Sequence, residues 1–210
     1  MSSTKDVPPK VPPFNPLDKR NLGKSVAAAL IKQTVSVLPP KPFVSAGIYA
    51  IYYVGPHPFY AKIAQANRGD KFALPIYVGK AVPPGARKGG FGLGEDPGQA
   101  LYKRLDEHAK SLQLANDLSI DDFWCRYLVV DDIWIPLGES LLIEMYAPLW
   151  NRVVDGFGNH DPGSGRYNQR RSAWDSLHPG RLWAERLPAS SVSKERIMKR
   201  IDDHLKGDDG

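Results

Sequence analysis

The chain has 210 residues, of which 42% are hydrophobic and 24% charged, and its formal net charge is +5. This composition excludes a disordered chain, and the lack of an apolar run of about 18 residues excludes a membrane-spanning helix. The single cysteine, Cys125, excludes an internal disulfide, argues against a zinc cluster and fits the reducing cytoplasm. The positive charge is compatible with a polyanionic partner.

The first 44 residues are predicted to form an arm followed by a helix. Residues 1–16 contain five prolines, which indicates an extended arm. Apolar residues recur at helical spacing through residues 17–36, and Pro39 ends that helix. We expect this segment, residues 1–44, to embrace DNA or a partner chain.

Two short β-type runs follow, at residues 45–54 and 74–80. Residues 55–73 between them form an insertion with mild helical character. Residues 82–98 contain six glycines and three prolines, which is typical of a long, mobile loop.

The next elements alternate between helix and strand. Residues 99–115 have an apolar stripe that predicts an amphipathic helix. Residues 123–130 and 133–135 are predicted strands, and residues 137–147 a second helix that ends before Pro148. Together these elements predict an α+β fold.

The C-terminal segment, residues 152–210, is irregular at first and ends in a predicted helix that Ser193 caps. We expect it to form a DNA-recognition extension that folds with the rest of the chain as a single domain. Several of its arginines crowd one stretch, including Arg166, Arg170 and Arg171.

Two groups on the predicted helices carry chemistry. Arg104 and His108 are one turn apart and border the apolar stripe of the first helix, although a solvated helix flank is the simpler interpretation of that pair alone. Glu139 lies on the apolar face of the second helix, whereas Glu144 faces outward. A carboxylate on an apolar face needs a partner or a metal, so Glu139 is the candidate functional acid, unless it is a structural buried glutamate.

These features resemble the GIY-YIG nuclease family when they are taken in order. The sequence contains Gly47-Ile48-Tyr49, Tyr77-Val78-Gly79, Arg104-x-x-x-His108, Glu139 and, after Pro148, Asn151. The resemblance covers residues 45–151 and implies a small antiparallel three-stranded sheet flanked by helices. Tyr49 and Tyr77 are 28 positions apart, farther than in many members of the family, which indicates an insertion.

The resemblance also implies a role for each residue. Tyr49 would be the base or a proton relay. Arg104, Lys80 and a metal could lower its pKa, and His108 could accept the proton. Tyr77 would position the water or bond the phosphate, and Arg104 would hold the phosphate. Lys80 would give catalytic support.

The remaining groups implied by the resemblance concern the metal and the site's frame. Glu139 would bind one Mg²⁺, a cation that prefers oxygen ligands. Asn151 would support the geometry of the site through hydrogen bonds.

Within the family the arrangement is similar to the type II restriction endonucleases, which implies a prokaryotic, cytoplasmic enzyme. It would cut double-stranded DNA at a GC-rich palindrome as a homodimer. Guanine is commonly recognised by paired arginine donors, so Arg166, Arg170, Arg171, Arg87 and Lys88 are candidate DNA-binding residues, although simple phosphate contact or solvated charge would also explain each.

Other functions stay open at this stage. A nicking or repair nuclease of the same family, or a catalytically silent DNA-binding module, would share most of these features. An HNH nuclease based on Asn159-His160 and His178 lacks further clustered histidines, and a PD-(D/E)XK nuclease lacks a Glu-x-Lys strand after Asp131 and Asp132.

Overall fold

A computed structural model describes residues 15, 17–83, 96–163 and 168–207. The predictions for residues 1–14, for Arg87 and Lys88 in the glycine-rich loop, and for Arg166 lie outside these residues. Within the described part, no helix is long and apolar enough to cross a membrane.

The centre of the fold is an antiparallel sheet of four strands. Its strands are β1 (Ser36–Val37), β2 (Gly47–Tyr53), β3 (Tyr77–Ala81) and β4 (Phe123–Val129), in the spatial order β1-β4-β2-β3. The α+β prediction is confirmed, and the two-residue β1 adds a fourth strand to the three implied by the resemblance.

The predicted strand at residues 133–135 is wrong. A 3₁₀ turn at Asp132–Trp134 leads directly into a helix that begins at Ile135. Pro136 lies in the first turn of that helix, where its fixed φ is favourable and its missing N–H costs nothing. The apolar run Ile133-Trp134-Ile135 is too short for its pattern to separate helix from strand.

Eight helices are described, and the long ones match the predicted segments to within a few residues. They are α1 (Lys19–Ile31), α2 (Ala61–Asn67), α3 (Ala100–Leu114), α4 (Ile135–Tyr146), α5 (Leu149–Arg152), α6 (Ala173–Leu177), α7 (Leu182–Glu185) and α8 (Lys194–Gly207). Helix α1 ends before its predicted limit because Ser36 and Val37 join the sheet.

Strand β2 is central and buried on both faces. Tyr49, Ile51 and Tyr53 pack into the cluster that contains the apolar stripe of α3. The alternate residues Ile48 and Ala50 pack into a second cluster formed with α1 and α4. Strand β3 lies beside β2 at the edge of the sheet, so side chains from both faces can meet there.

The N-terminal helix belongs to this second layer. Helix α1 packs on α4 beside Gly23, where an added Cβ would make ordinary van der Waals contact with Met145 at 3.5 Å and with Leu141 at 3.8 Å. Its buried face consists of Gly23, Ala27 and Leu30. An embrace of DNA or of a partner by residues 1–44 stays a prediction.

The C-terminal segment packs into the same core as α3. Phe157 and Trp174 are buried in that cluster together with Trp150. Cys125 is also buried, which raises the pKa of its thiol to about 12 and leaves it in the unreactive form.

Candidate active site

The two glycine-containing signatures bring Tyr49 against β3. In the β2–β3 register Tyr49 lies opposite Gly79. A Cβ on Gly79 would lie 2.4 Å from the Tyr49 hydroxyl, so only glycine leaves room for this ring. A Cβ on Gly47 would lie 2.2 Å from the Leu128 carbonyl oxygen on the neighbouring β4. The glycines are therefore needed for close packing around the first tyrosine.

Tyr49 is joined directly to His108 on α3. The phenol oxygen lies 2.7 Å from His108 Nε2, and both side chains are almost fully buried. The imidazole stacks on Phe157 at 4.5 Å, and the Tyr77 ring lies edge-on to it at 5.1 Å. Three aromatic rings thus fix the orientation of the histidine.

Arg104 lies one turn before His108, as predicted, and it faces the cleft. Its guanidinium donates to the Gly158 carbonyl oxygen at 3.0 Å and to Glu107 Oε2 at 2.9 Å. It also contacts Nε2 of His160. A Cβ on Gly158 would lie 3.0 Å from both the guanidinium and the Tyr77 hydroxyl, so this loop approaches the site closely.

Glu139 and Lys80 come from the other face of the sheet. Lys80 on β3 donates to Glu139 Oε2 on α4 at 2.5 Å. The Glu139 side chain is 18% exposed, whereas Glu144 is exposed on the opposite side of the helix. Glu139 therefore points into the cleft, and Glu144 points away from it.

Asn151 lies outside the cleft and holds the edge strand in place. Its Oδ1 accepts the Val78 N–H at 2.8 Å and its Nδ2 donates to the Val78 carbonyl oxygen at 2.8 Å. Val78 lies between Tyr77 and Gly79. The amide thus fixes the backbone that presents Tyr77 and Lys80.

These groups surround one open cleft of about 800 Å³ at the edge of β3. Of the predicted catalytic set, Tyr49, Tyr77, Lys80, Arg104 and Glu139 line the cleft directly, and His108 is reached through Tyr49. The sequence order of the motifs and this geometry point to one nuclease family.

A family model described as the Eco29kI GIY-YIG domain matches residues 41–205. The chain belongs to the GIY-YIG nuclease family. The match extends beyond the residues 45–151 of the sequence resemblance and includes most of the C-terminal segment. No curated protein was found to match the chain.

Electrostatics in this GIY-YIG site keep both tyrosines protonated. Burial raises the pKa of Tyr49 well above its usual value of 10.0, and the nearby positive charge of Arg104 only partly opposes this. Burial likewise raises the pKa of Tyr77. Arg104 acts in the expected direction, but the desolvation of the phenolate outweighs its attraction, so a lowered pKa of Tyr49 stays a prediction.

The pKa of His108 is shifted in the opposite direction. Burial, and then the positive charge of Arg104, hold the pKa of His108 well below its usual value of 6.5. The imidazole is therefore neutral at pH 7, and its Nε2 can accept the Tyr49 proton. Tyr49 and His108 together form a neutral donor–acceptor pair.

The described DNA-binding candidates differ in their surroundings. Arg170 is exposed and lines a smaller cleft of about 300 Å³ that shares His160 with the main cleft. Arg171 donates instead to the carbonyl oxygens of Ala184 at 3.1 Å and Glu185 at 2.9 Å. Its donors are thus partly used within the protein.

Several residues of the cleft were not predicted from the sequence. They are Lys103, Glu107, Asp132 and His160. Glu107 lies three residues after Arg104, so helical spacing could have identified it. His160 comes from a loop 52 positions after His108, and no local pattern links the two.

The donors of the cleft fit a hard divalent cation. Glu139 and Asp132 bring carboxylates to the same cleft, while the Glu107 carboxylate is engaged by Arg104. Oxygen ligands together with an open, water-accessible space are what Mg²⁺ requires, since it keeps several of its waters.

Proposed function

We propose that this GIY-YIG nuclease is a type II restriction endonuclease that makes Mg²⁺-dependent double-strand cuts at a GC-rich palindrome. One observation carries the proposal. A neutral Tyr49–His108 pair and Arg104 approach a single cleft from one face of the sheet, while Lys80 and Glu139 approach it from the other. The arrangement contains a pair that can transfer a proton, a guanidinium that can bind the phosphate, and a carboxylate that can bind a cation.

The proton path begins at Tyr49. The phenol oxygen takes a proton from the attacking water while its own proton passes to His108 Nε2, 2.7 Å away. A relay of this kind never forms a full phenolate, so the raised pKa of Tyr49 does not prevent it. His108 completes the relay because it is neutral and acceptor-competent.

Arg104 binds the scissile phosphate. A guanidinium can bond two phosphate oxygens at once, and Arg104 already faces the cleft. Its charge would then be shared with the phosphate, which reduces its repulsion of a protonated His108. DNA binding would thereby make His108 a better proton acceptor at the moment of reaction.

Tyr77 and Asn151 set the geometry. Tyr77 lies beside both His108 and Arg104, where its hydroxyl can bond the water or a phosphate oxygen. Asn151 is a positioning residue, because both ends of its amide bond to Val78.

Glu139 holds the cation, and Lys80 accompanies it. When bound, Mg²⁺ stabilises negative charge on the phosphate and on the leaving oxygen. Lys80, now paired with Glu139, would turn toward the phosphate once the carboxylate is engaged by the cation.

The C-terminal segment would recognise the base sequence of the DNA. Arg170 is exposed beside the cleft and can reach base edges, whereas Arg171 is more restrained. Arg166, Arg87 and Lys88 complete the proposed DNA-binding set. The nuclease cleft of one chain would cut one DNA strand. Double-strand cutting would therefore require two chains, most simply a homodimer on a palindrome.

Supercoiled plasmid incubated with the protein and Mg²⁺ tests the proposal. Discrete linear fragments are the expected product. Nicked circles without fragments would favour the nicking or repair nuclease of the same family. Binding without any cleavage would show a catalytically silent DNA-binding module and would overturn the enzyme proposal.

A further inference from the structure

A second cluster of metal-binding side chains lies away from the nuclease cleft. His57 follows β2, Asp117 follows the C-terminal end of α3, and His178 follows α6. Their ligand atoms all lie within 4.8 Å of one another. The cluster joins the insertion, the nuclease core and the C-terminal segment at one point.

The spacing of these atoms suits a tetrahedral ion. His178 Nδ1 lies 3.0 Å from both carboxylate oxygens of Asp117, and His57 Nε2 lies 3.6 Å from Asp117 Oδ2. Metal–ligand bonds of about 2.0–2.1 Å place tetrahedral ligand atoms about 3.3 Å apart. The observed distances lie on either side of that value.

The outer contacts of His178 are those of a metal ligand. Its second nitrogen, Nε2, is bonded to the buried Tyr60 hydroxyl at 2.5 Å. Ligating histidines almost always use the other ring nitrogen in this way, because the contact fixes the tautomer and the ring orientation. The 3.0 Å contacts mean that Nδ1–H donates to the Asp117 carboxylate while Nε2 accepts from the Tyr60 hydroxyl. A metal at Nδ1 would replace that proton, and Nε2–H would then donate to the phenol oxygen.

The side-chain polar contacts of His57 are weak. It is only 13% exposed, its Nδ1 has no partner, and its 3.6 Å distance to Asp117 is longer than a normal hydrogen bond. Its ring stacks on Tyr60 at 5.0 Å, which holds Nε2 toward the cluster. An ion bound to Nε2 would replace the long contact with Asp117 by a direct metal bond, while Nδ1 would still lack a partner among the described residues.

We propose that His57, Asp117 and His178 bind a Zn²⁺ ion that ties the C-terminal segment to the nuclease core. Two imidazoles and one carboxylate favour zinc over magnesium or calcium, which prefer oxygen ligands alone. Asp117 is 37% exposed and borders an open cleft of about 500 Å³, from which a water completes the fourth position. The ligand set contains no cysteine, so the cysteine count did not reveal it.

The test measures metal content rather than DNA cleavage, so it succeeds or fails independently of the proposed nuclease activity. The protein is incubated with excess Zn²⁺, passed over a desalting column and assayed for bound metal. We expect about one zinc per chain in the wild type and its loss in His57→Gln and Asp117→Asn. Chelation should also lower the melting temperature of the wild type and leave that of His57→Gln unchanged.

Matched controls define the site. Asp122→Asn changes a carboxylate that lines the same cleft of about 500 Å³ as Asp117 but does not belong to the cluster. Glu139→Gln removes the Glu139 carboxylate from the nuclease cleft. Both should retain the zinc. If the cluster variants fail to fold, the wild type loaded with Co²⁺ should show the strong visible bands of a tetrahedral ion. A wild type without bound zinc, or zinc retained by both cluster variants, would overturn the proposal.

Discussion

Glu139 and Tyr49 approach the same cleft from opposite faces of the sheet, and their partners differ in charge. Glu139 is partly exposed and paired with Lys80, and in the proposed function it would exchange this partner for the cation. Tyr49 is buried and paired with a neutral imidazole.

Glu139→Gln should abolish Mg²⁺-dependent cleavage while DNA binding is largely kept. Loss of a ligand to the cation should slow cleavage by about 1000-fold or more, equivalent to about 4 kcal/mol of transition-state stabilisation. Single-turnover cleavage and a gel-shift assay measure the two effects. Glu144→Gln, on the exposed side of the same helix, should cut normally, and the reverse result would contradict the assignment.

The pH dependence of cleavage reports on His108. Only the neutral imidazole accepts the Tyr49 proton, and its pKa is held well below 6.5. The acid limb of kcat/KM should therefore lie below pH 6.5, and activity should persist where an ordinary histidine would be protonated. The free energy of unfolding should also fall as pH falls below about 6.5, because the unfolded chain binds the proton more readily than the buried imidazole does. An acid limb at or above pH 6.5 that His108→Gln leaves in place would contradict this role.

At the scale of elements, the site depends on how closely β2 and β3 pack. Gly79→Ala should displace the Tyr49 ring, because the added methyl would lie 2.4 Å from its hydroxyl. We expect a loss of cleavage on the order of 100-fold, since small misplacements of reacting groups have such costs. Cleavage rates measure the effect, and Gly207→Ala is the control, because a Cβ there meets no atom within 4 Å. Equal activity of the two variants would show that Tyr49 does not need this packing.

The elements also show what the sequence could and could not predict. Tyr49, Tyr77, Arg104, His108 and Glu139 lie on strands and helices with clear patterns, so their local geometry could be inferred. His160 and Gly158 reach Arg104 from an irregular loop, and His57 meets His178 across 121 positions. Contacts of that kind depend on tertiary packing, which no periodicity in the sequence records.

At the scale of the whole molecule, Arg181 fixes the loop that covers the site. It is 2% exposed, pairs with Asp175 at 2.6 Å, and donates to the carbonyl oxygens of Gly156, Phe157 and Asn159. That loop carries Phe157 onto His108 and Gly158 onto Arg104. A basic cluster noted in the sequence thus contains at least one arginine that is structural.

Arg181→Met should destabilise the fold by about 3–5 kcal/mol, because it leaves the buried Asp175 carboxylate unpaired. Urea unfolding measures the change. Arg170→Met, on an exposed arginine of the same segment, should change stability by less than about 0.5 kcal/mol and weaken DNA binding instead. A small effect of Arg181→Met would show that the loop is held by other contacts.

Sequencing the ends of DNA digested by the protein tests the central proposal most directly. Every end should fall within one recurring, two-fold symmetric, GC-rich sequence, and Glu139→Gln should produce no such ends. Ends scattered over unrelated sequences, or ends on only one strand, would contradict a site-specific restriction endonuclease.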